Sequence, residues 1–278
     1  MTYRIDSTPV YDGRWRLTPD KEATVLLVGC GGTGSFLAEA VCRLLIGRDA
    51  DLCLVDMDRV EEHNIGRQSF GPEDLGRFKA QALAERLSRR FDRTIGYSVL
   101  PYDRELHAQV FRPLSRLNLL VGCVDNAGAR SAIAATLNAF DKDVWWLDTG
   151  NGRNAGQVLL GNALRPEALR GAFVPHLGVC RALPAPSLQR PDLLDAPPAP
   201  ERALDCAEAV AQAEQGGTIN QVVAAVAASF IEKLLTDTCR WRAAYFDLDD
   251  GTLRCLPAEP GFVASLVGLR TNAVTQRA

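Results

Sequence analysis

Residues 24–34, TVLLVGCGGTG, limit what this chain can fold into more than any other stretch. An apolar run at 25–28 breaks into Gly29, Gly31, Gly32 and Gly34, and a helix-like segment follows. A second apolar run, 52–55, ends in Asp56 within LCLVDMD. Strand, glycine turn, helix, strand and an acid about 20 residues on form the nucleotide-binding fingerprint of a parallel sheet. Gly29 allows a tight turn, Gly31 and Gly32 let the backbone approach a phosphate, and Gly34 lets the helix pack on the sheet. The helix start offers unpaired N–H groups and a positive dipole end to an anion. Asp56 is placed to accept ribose hydroxyls. A glycine-rich turn can be structural only, but the strand before it and the acid after it favour a nucleotide.

A chain of 278 residues, 47% apolar, suits one large α/β domain or a domain with a modest addition. No apolar run approaches the roughly 20 residues of a membrane span, so no membrane partner is expected. The N-terminus lacks a basic-then-apolar signal segment, which predicts a cytoplasmic protein. A net charge of -3 with dispersed Lys and Arg argues against nucleic acid as a partner. The 8 cysteines (30, 42, 53, 123, 180, 206, 239, 255) include no C-x-x-C pair, which disfavours structural zinc. Cys30, Cys53 and Cys123 lie in or beside apolar strands and read as reduced core thiols.

Along the chain, residues 1–20 read as a polar N-terminal arm carrying Arg4, Arg14 and Arg16 among Tyr3, Tyr11 and Trp15. Helices are predicted at 35–45, 79–91, 130–140 and 219–235, from apolar residues at helical spacing. Strands are predicted at 95–100, 117–124, 144–147 and 157–160, the glycine-rich stretch from Asp148 forming a turn before the last of these. Alternating strand and helix predicts a largely parallel, doubly wound α/β sheet. Residues 60–76 read as a polar loop. Residues 164–206 are proline-rich and read as a long crossover connection, functional or mobile. A hairpin is expected at 243–257 around Asp249-Asp250-Gly251, and 258–278 reads as a tail. The main domain would thus span 21–257.

The loop after Asp56 carries Asp58, Asn64, Arg67 and Gln68, and Lys79 opens the next helix. Arginine and lysine converging on a glycine turn suit a triphosphate, whose charge must be offset before attack at phosphorus. The strand at 117–124 ends in Asp125-Asn126, at the sheet edge where such folds bind ligands. Asp125 is a candidate Mg²⁺ ligand. No G-x-x-x-x-G-K-[ST] loop occurs, so this is no ordinary P-loop ATPase. Read singly, Arg67 is equally a loop anchor and Lys79 a solvated helix residue.

VGCGGTGS, LVDMDRVEEHNIGRQ, DLGRFKAQ and the VDN after the 117–124 strand together resemble the ThiF/MoeB/HesA superfamily of ubiquitin-activating-type adenylyltransferases, over about residues 20–255. The resemblance implies a Rossmann-like adenylation domain using ATP and Mg²⁺. In it Asp56 holds the ribose, Asn64, Arg67 and Lys79 act on the triphosphate, Asp125 positions Mg²⁺, and Asn126 lies beside the nucleotide. Asp58 and Gln68 stay ambiguous, Asp58 also suiting a loop cap. The implied reaction is attack of the C-terminal glycine carboxylate of a ubiquitin-like or sulfur-carrier protein on the α-phosphate. Cys206, in DCAEA before a helix, resembles the cysteine that takes the acyl group as a thioester, with Cys180 as rival and a packed small residue as the plain alternative. The paired C-x-x-C zinc motifs and a recognisable R-x-x-R-Q N-terminal helix are absent, so no arginine acting in trans is carried over. GNGRNAGQVLLG is closest to short bacterial PRTRC-type ThiF proteins, and relatives of this size are commonly homodimers. Three other functions stay open: adenylation of tRNA or a small molecule, nicotinamide-dependent oxidoreduction, and carrier binding by a pseudoenzyme. His63, His107 and His176 form no evident set.

Overall fold

A computed structural model of the chain describes residues 2–8, 21–111, 115–140, 143–195 and 218–276. In its eight-stranded main sheet, β2 (Lys21–Val28), β3 (Ala50–Val55), β4 (Gly96–Ser98), β5 (Ser115–Gly122) and β6 (Val144–Asn151) run parallel, in the order β4-β3-β2-β5-β6. Alternate side chains go to opposite faces, because a strand repeats every two residues. Val25 and Leu27 of β2, Leu52 and Leu54 of β3, and Leu119 and Val121 of β5 join one core layer. That layer packs on α1 (Gly32–Leu44), α3 (Lys79–Phe91) and α7 (Ile219–Leu235), which contribute Leu37, Val41, Leu83 and Phe230. Leu26, Val28, Val55, Leu120 and Trp146 point the other way, onto Ile133 and Leu137 of α5 (Ala127–Phe140). Burying one such aliphatic side chain contributes about 1.5–3 kcal/mol. Helices on both faces are why these strands are apolar runs and not alternating ones.

The chain enters at β2, winds outward through β3 to β4, then returns to β5 on the other side of β2. The crevice between the carboxyl ends of β2 and β5 is therefore the topological switch point, where open α/β sheets bind ligands. Backbone N–H groups lock this edge. Gly29 donates to the Val55 carbonyl at 2.8 Å, and Cys123 to the Val28 carbonyl at 2.8 Å.

The doubly wound, mostly parallel expectation holds, and the terminal hairpin appears as β10 (Trp241–Asp247) and β11 (Thr252–Pro257). Several local expectations are corrected. The glycine-rich stretch from Asp148 is no turn at its start: β6 runs on to Asn151, since hydrogen bonds from Arg130 let the Asp148 carboxyl sit buried inside a strand. β7 (Ala155–Gly161) returns antiparallel to β6, and β10 and β11 continue antiparallel. Only residues 152–154 separate β6 from β7, and a connection that short cannot make a parallel crossover. The polar loop at 60–76 contains the one-turn helix α2 (Glu62–Ile65). The unanticipated helix α4 (Arg104–Val110) starts at Asp103, whose carboxylate accepts from the Leu106 N–H at 2.9 Å.

The described part of the proline-rich stretch, 164–195, is packed structure. It holds β8 (Phe173–Val174), β9 (Val179–Cys180) and α6 (Pro186–Gln189), with Phe173, Cys180, Leu183 and Ala185 fully buried. β1 (Arg4–Ile5) pairs parallel to β9 and completes a three-stranded second sheet, so this part of the arm is anchored. Arg4 meets Asp237 at 3.6 Å; Tyr11, Arg14, Trp15 and Arg16 lie outside the described residues. The stretch read as a tail forms α8 (Pro260–Leu266) and α9 (Thr271–Val274), which bury Val263, Ala264 and Val274. Among the described residues no helix is long and apolar enough to cross a membrane.

Candidate active site

Gly29 takes φ +91, and a Cβ there would meet the Cys123 carbonyl oxygen at 2.5 Å, so the turn after β2 requires glycine. The turn opens into a cleft of about 530 Å³ over the switch point. Gly29, Gly31 and Gly32 line it. Gly34 does not: it is buried in α1, where a Cβ would fall on the Gly29 carbonyl. Its part is to let helix and turn close together.

Asp56, at the end of β3, accepts from the N–H groups of Cys30 at 2.6 Å and Asp58 at 2.8 Å. Burial pushes its carboxyl above the usual range, and those two donors pull it back. Lys79 opens α3 only 7% exposed, with its Nζ 3.1 Å from Asp58 Oδ2 and its N–H on the Asp58 carbonyl. Asp58 thus positions Lys79, and its exposed carboxylate is a partner that a more highly charged anion can displace. Asn64 is buried and builds the loop: its Oδ1 accepts from the Glu61 N–H, and its carbonyl from those of Arg67 and Gln68. Gln68 is buried with Oε1 lacking a hydrogen-bond partner among the described residues. Asp125 is exposed, takes a hydrogen bond from Asn126 Nδ2 at 3.3 Å, and stands before α5, whose Ala129 N–H donates to Asn126 Oδ1 at 2.8 Å. Asp56, Asp58, Asn64, Arg67, Gln68, Lys79, Asp125 and Asn126 all line the one cleft.

Cys206 lies outside the described residues. Its rival Cys180 is fully buried, and burial drives its thiol well above the ordinary value, so it offers no accessible thiolate. Cys30 is fully buried, whereas Cys53 and Cys123 are half-buried thiols packed against the core, Cys123 also lining the cleft with desolvation pushing its thiol to about 12; all three are free thiols. His63 stands exposed at the rim, 3.3 Å from Glu61, and His176 is exposed elsewhere. His107 is buried at 2.5 Å from the Tyr102 hydroxyl, and burial lowers it to about 4. Among the described residues no group of three or more His, Cys, Asp and Glu could hold a metal ion.

Sequence reasoning missed Thr33, Tyr102, Thr149, Asn151 and Asn220, all lining the cleft. Thr33 and Asn151 sit inside the glycine-rich motifs, which assign them no role, and Tyr102, Thr149 and Asn220 belong to no motif. The one trace was a polar pair, Asn220-Gln221, in the first turn of a mostly apolar helix.

A second cleft of about 640 Å³ meets the first, sharing Val124, Asp125 and Asn151. Arg130, Arg190, Arg254 and Tyr245 line it. Beneath it Arg130 Nε lies 3.3 Å from both oxygens of Asp148, which is 0% exposed. Burial pushes the Asp148 carboxyl up to about 7, with Arg130 opposing. Between about pH 4 and 7 the folded chain then keeps a proton that the unfolded chain has released. Stability should accordingly fall as pH rises through that window, by up to about 1.4 kcal/mol per unit, and level off above it. Urea midpoints against pH, wild type beside Asp148→Asn, measure this; the variant should lose the slope.

The family model described as ThiF family matches residues 20–255. The chain belongs to the ThiF family. The resemblance carried by VGCGGTGS and DLGRFKAQ is thereby borne out. A ubiquitin-like modifier-activating enzyme 5 from Drosophila willistoni is 32% identical over 145 residues, covering 49% of this chain and 34% of that protein. The enzyme of the same name from Gallus gallus is 30% identical over 178 residues, covering 60% of this chain and 43% of that protein. The chain thus spans less than half the length of these curated relatives. The fold matches the E. coli MccB crystal structure with a TM-score of 0.58 at 16% identity, over 86% of this chain and 64% of that one. PaaA matches with a TM-score of 0.56 at 18% identity, over 85% and 64%. MccB has also been solved with ATP and with N-formylated MccA.

Proposed function

We propose that this chain uses ATP to adenylate the C-terminal carboxylate of a ubiquitin-like or sulfur-carrier polypeptide, releasing pyrophosphate. One observation carries the reading: Asp56 after β3, Arg67 after α2, Lys79 at the start of α3 and Asp125 after β5 line one cleft around the glycine turn. ThiF-family membership and the activating-enzyme relatives support it. Phosphoryl-type transfers need positioning and charge stabilisation more than covalent help from the protein, and this cleft offers both. In the proposed arrangement Asp56 accepts the ribose hydroxyls. Backbone N–H groups at the α1 start meet the phosphates, and Arg67 and Lys79 offset their charge. A carboxylate oxygen of the polypeptide attacks the α-phosphorus, the bond to the bridging oxygen breaks, and pyrophosphate leaves. The second cleft, with Arg130, Arg190 and Arg254, suits entry of that carboxylate, since it joins the first at Asp125.

The donor set also fits Mg²⁺, which is commonly held by one or two carboxylates plus phosphate oxygens. Asp125 would hold it, and the ion would supply neutralisation of the phosphates. The reading extends to Cys206, whose thiolate would attack the acyl-adenylate, forming a thioester as AMP leaves.

The test is ATP–pyrophosphate exchange with glycine-ending carrier proteins, comparing wild type, Asp125→Ala and Cys206→Ala. Exchange should vanish in Asp125→Ala and persist in Cys206→Ala, with a thiol-reducible adduct in wild type alone. No exchange with any carrier sinks the proposal and turns attention to tRNA or a small molecule as acceptor.

A further inference from the structure

Asn220, the second residue of α7, reaches across the molecule to the nucleotide cleft. The residue is 2% exposed. Its Oδ1 accepts from Thr33 Oγ1 at 3.4 Å and from Asn151 Nδ2 at 3.2 Å, while its Nδ2 donates to the Arg67 carbonyl at 3.4 Å. A Cβ on Gly32 would stand 2.6 Å from the Asn220 Cγ, Oδ1 and Nδ2, so the amide rests directly against the glycine turn. One side chain thereby touches the start of α1, the loop bearing Arg67, and the end of β6 where the two clefts join.

These bonds are long, and a hydrogen bond of ordinary length contributes only about 1 kcal/mol net. The rest of α7 is built for apolar packing, with Val223, Ala227 and Phe230 fully buried. Stability alone would favour an apolar side chain, because a buried amide costs free energy unless it is hydrogen-bonded. What the amide supplies is alignment. It couples Thr33, at the start of α1 where phosphates would be met, to the backbone that carries the arginine.

We propose that Asn220 is a positioning residue for adenylation, holding the Arg67 loop in register with the glycine turn and with Asn151. The inference rests on the ATP reading above. It predicts a loss in rate, since misplacing reacting groups by about 1 Å can cost around 10²-fold.

The experiment measures carrier-free ATP binding, ATP–pyrophosphate exchange and thermal midpoint for wild type, Asn220→Ala and Asn220→Asp. The aspartate keeps the shape and the acceptor for Thr33 and Asn151, but cannot donate to the Arg67 carbonyl. Both variants should lose about tenfold or more in kcat for exchange, with a raised KM for ATP, measured well below their midpoints. A merely structural side chain would lower the midpoint and leave these constants within about twofold, which would overturn the proposal. Should both variants fail to fold, Asn151→Ala, at the half-buried end of β6, is expected to lose about threefold in kcat; unchanged kinetics there would overturn it equally. A wild type that neither binds ATP nor exchanges pyrophosphate refutes the adenylation reading itself, a result distinct from variants that match an active wild type.

Discussion

Lys79→Met is expected to lower ATP–pyrophosphate exchange by about 10²–10³-fold, the usual cost of removing one donor aimed at developing charge. Methionine keeps the unbranched apolar stem that lets position 79 sit 7% exposed at the start of α3, so the fold should survive. Only the charge is lost. The ammonium is held by Asp58 at 3.1 Å, and the Asp58 side chain is 63% exposed. A solvated carboxylate holds its partner weakly, and a triphosphate brings far more charge to the same place. Losing the pair should therefore cost little stability, and the thermal midpoint should stay within about 3 °C. Steady-state exchange with and without saturating ATP separates the effects. A loss confined to KM would mean that Lys79 only binds ground-state phosphate, whereas a fall in kcat assigns it to the transition state.

Gly34→Ala should damage the fold itself. A Cβ at this position of α1 would fall on the Gly29 carbonyl and stand 3.2 Å from the Cys123 Cβ. Neither obstacle is a flexible side-chain end, so turn and helix must part. Overpacking of this kind costs about 3 kcal/mol or more, lowering the thermal midpoint by about 10 °C in a chain of this size. Gly31→Ala is the control, because a Cβ there meets only Gln68 Nε2, at 3.9 Å. It should keep the wild-type midpoint and lose nucleotide affinity, since the added methyl intrudes where the backbone must approach phosphate. Calorimetry beside nucleotide titration distinguishes the two glycines: one is needed for packing, the other for approach. Equal midpoints for both variants would contradict this division.

Both predictions rest on residues legible in the sequence. The strand–turn–helix unit around Gly29 and the acid at Asp56 are written in local spacing. Asp125 was legible because an apolar strand that ends abruptly in a carboxylate delivers it to the sheet edge. Arg67 and Lys79 were readable as a pair only because the loop between them is short and polar. The helix Ile219–Leu235 was visible from its small apolar residues alone, yet nothing in that pattern says where its first turn points.

The misreadings share one cause. Asp148 looked like a turn residue because a carboxylate inside a strand is costly, and the compensating Arg130 lies on a different element. The proline-rich stretch read as loose because proline breaks periodicity, whereas its buried residues pack through a small sheet that needs β1 from the far end of the chain. The terminal segment read as a tail because helices of four to seven residues carry too little periodicity to register.

By itself, then, the sequence determined the parallel half of the sheet: its strands, its glycine turn and the charged residues at the strand ends. These follow from hydrophobic period and backbone sterics within a few tens of residues. The tertiary structure alone decided the antiparallel joining of β7 to β6 and of the hairpin to β7, the second cleft and the arrival of Asn220 over Gly32. Those depend on contacts between segments far apart in the chain, and a contact formed only when the chain closes on itself leaves no periodic mark in the residues that make it.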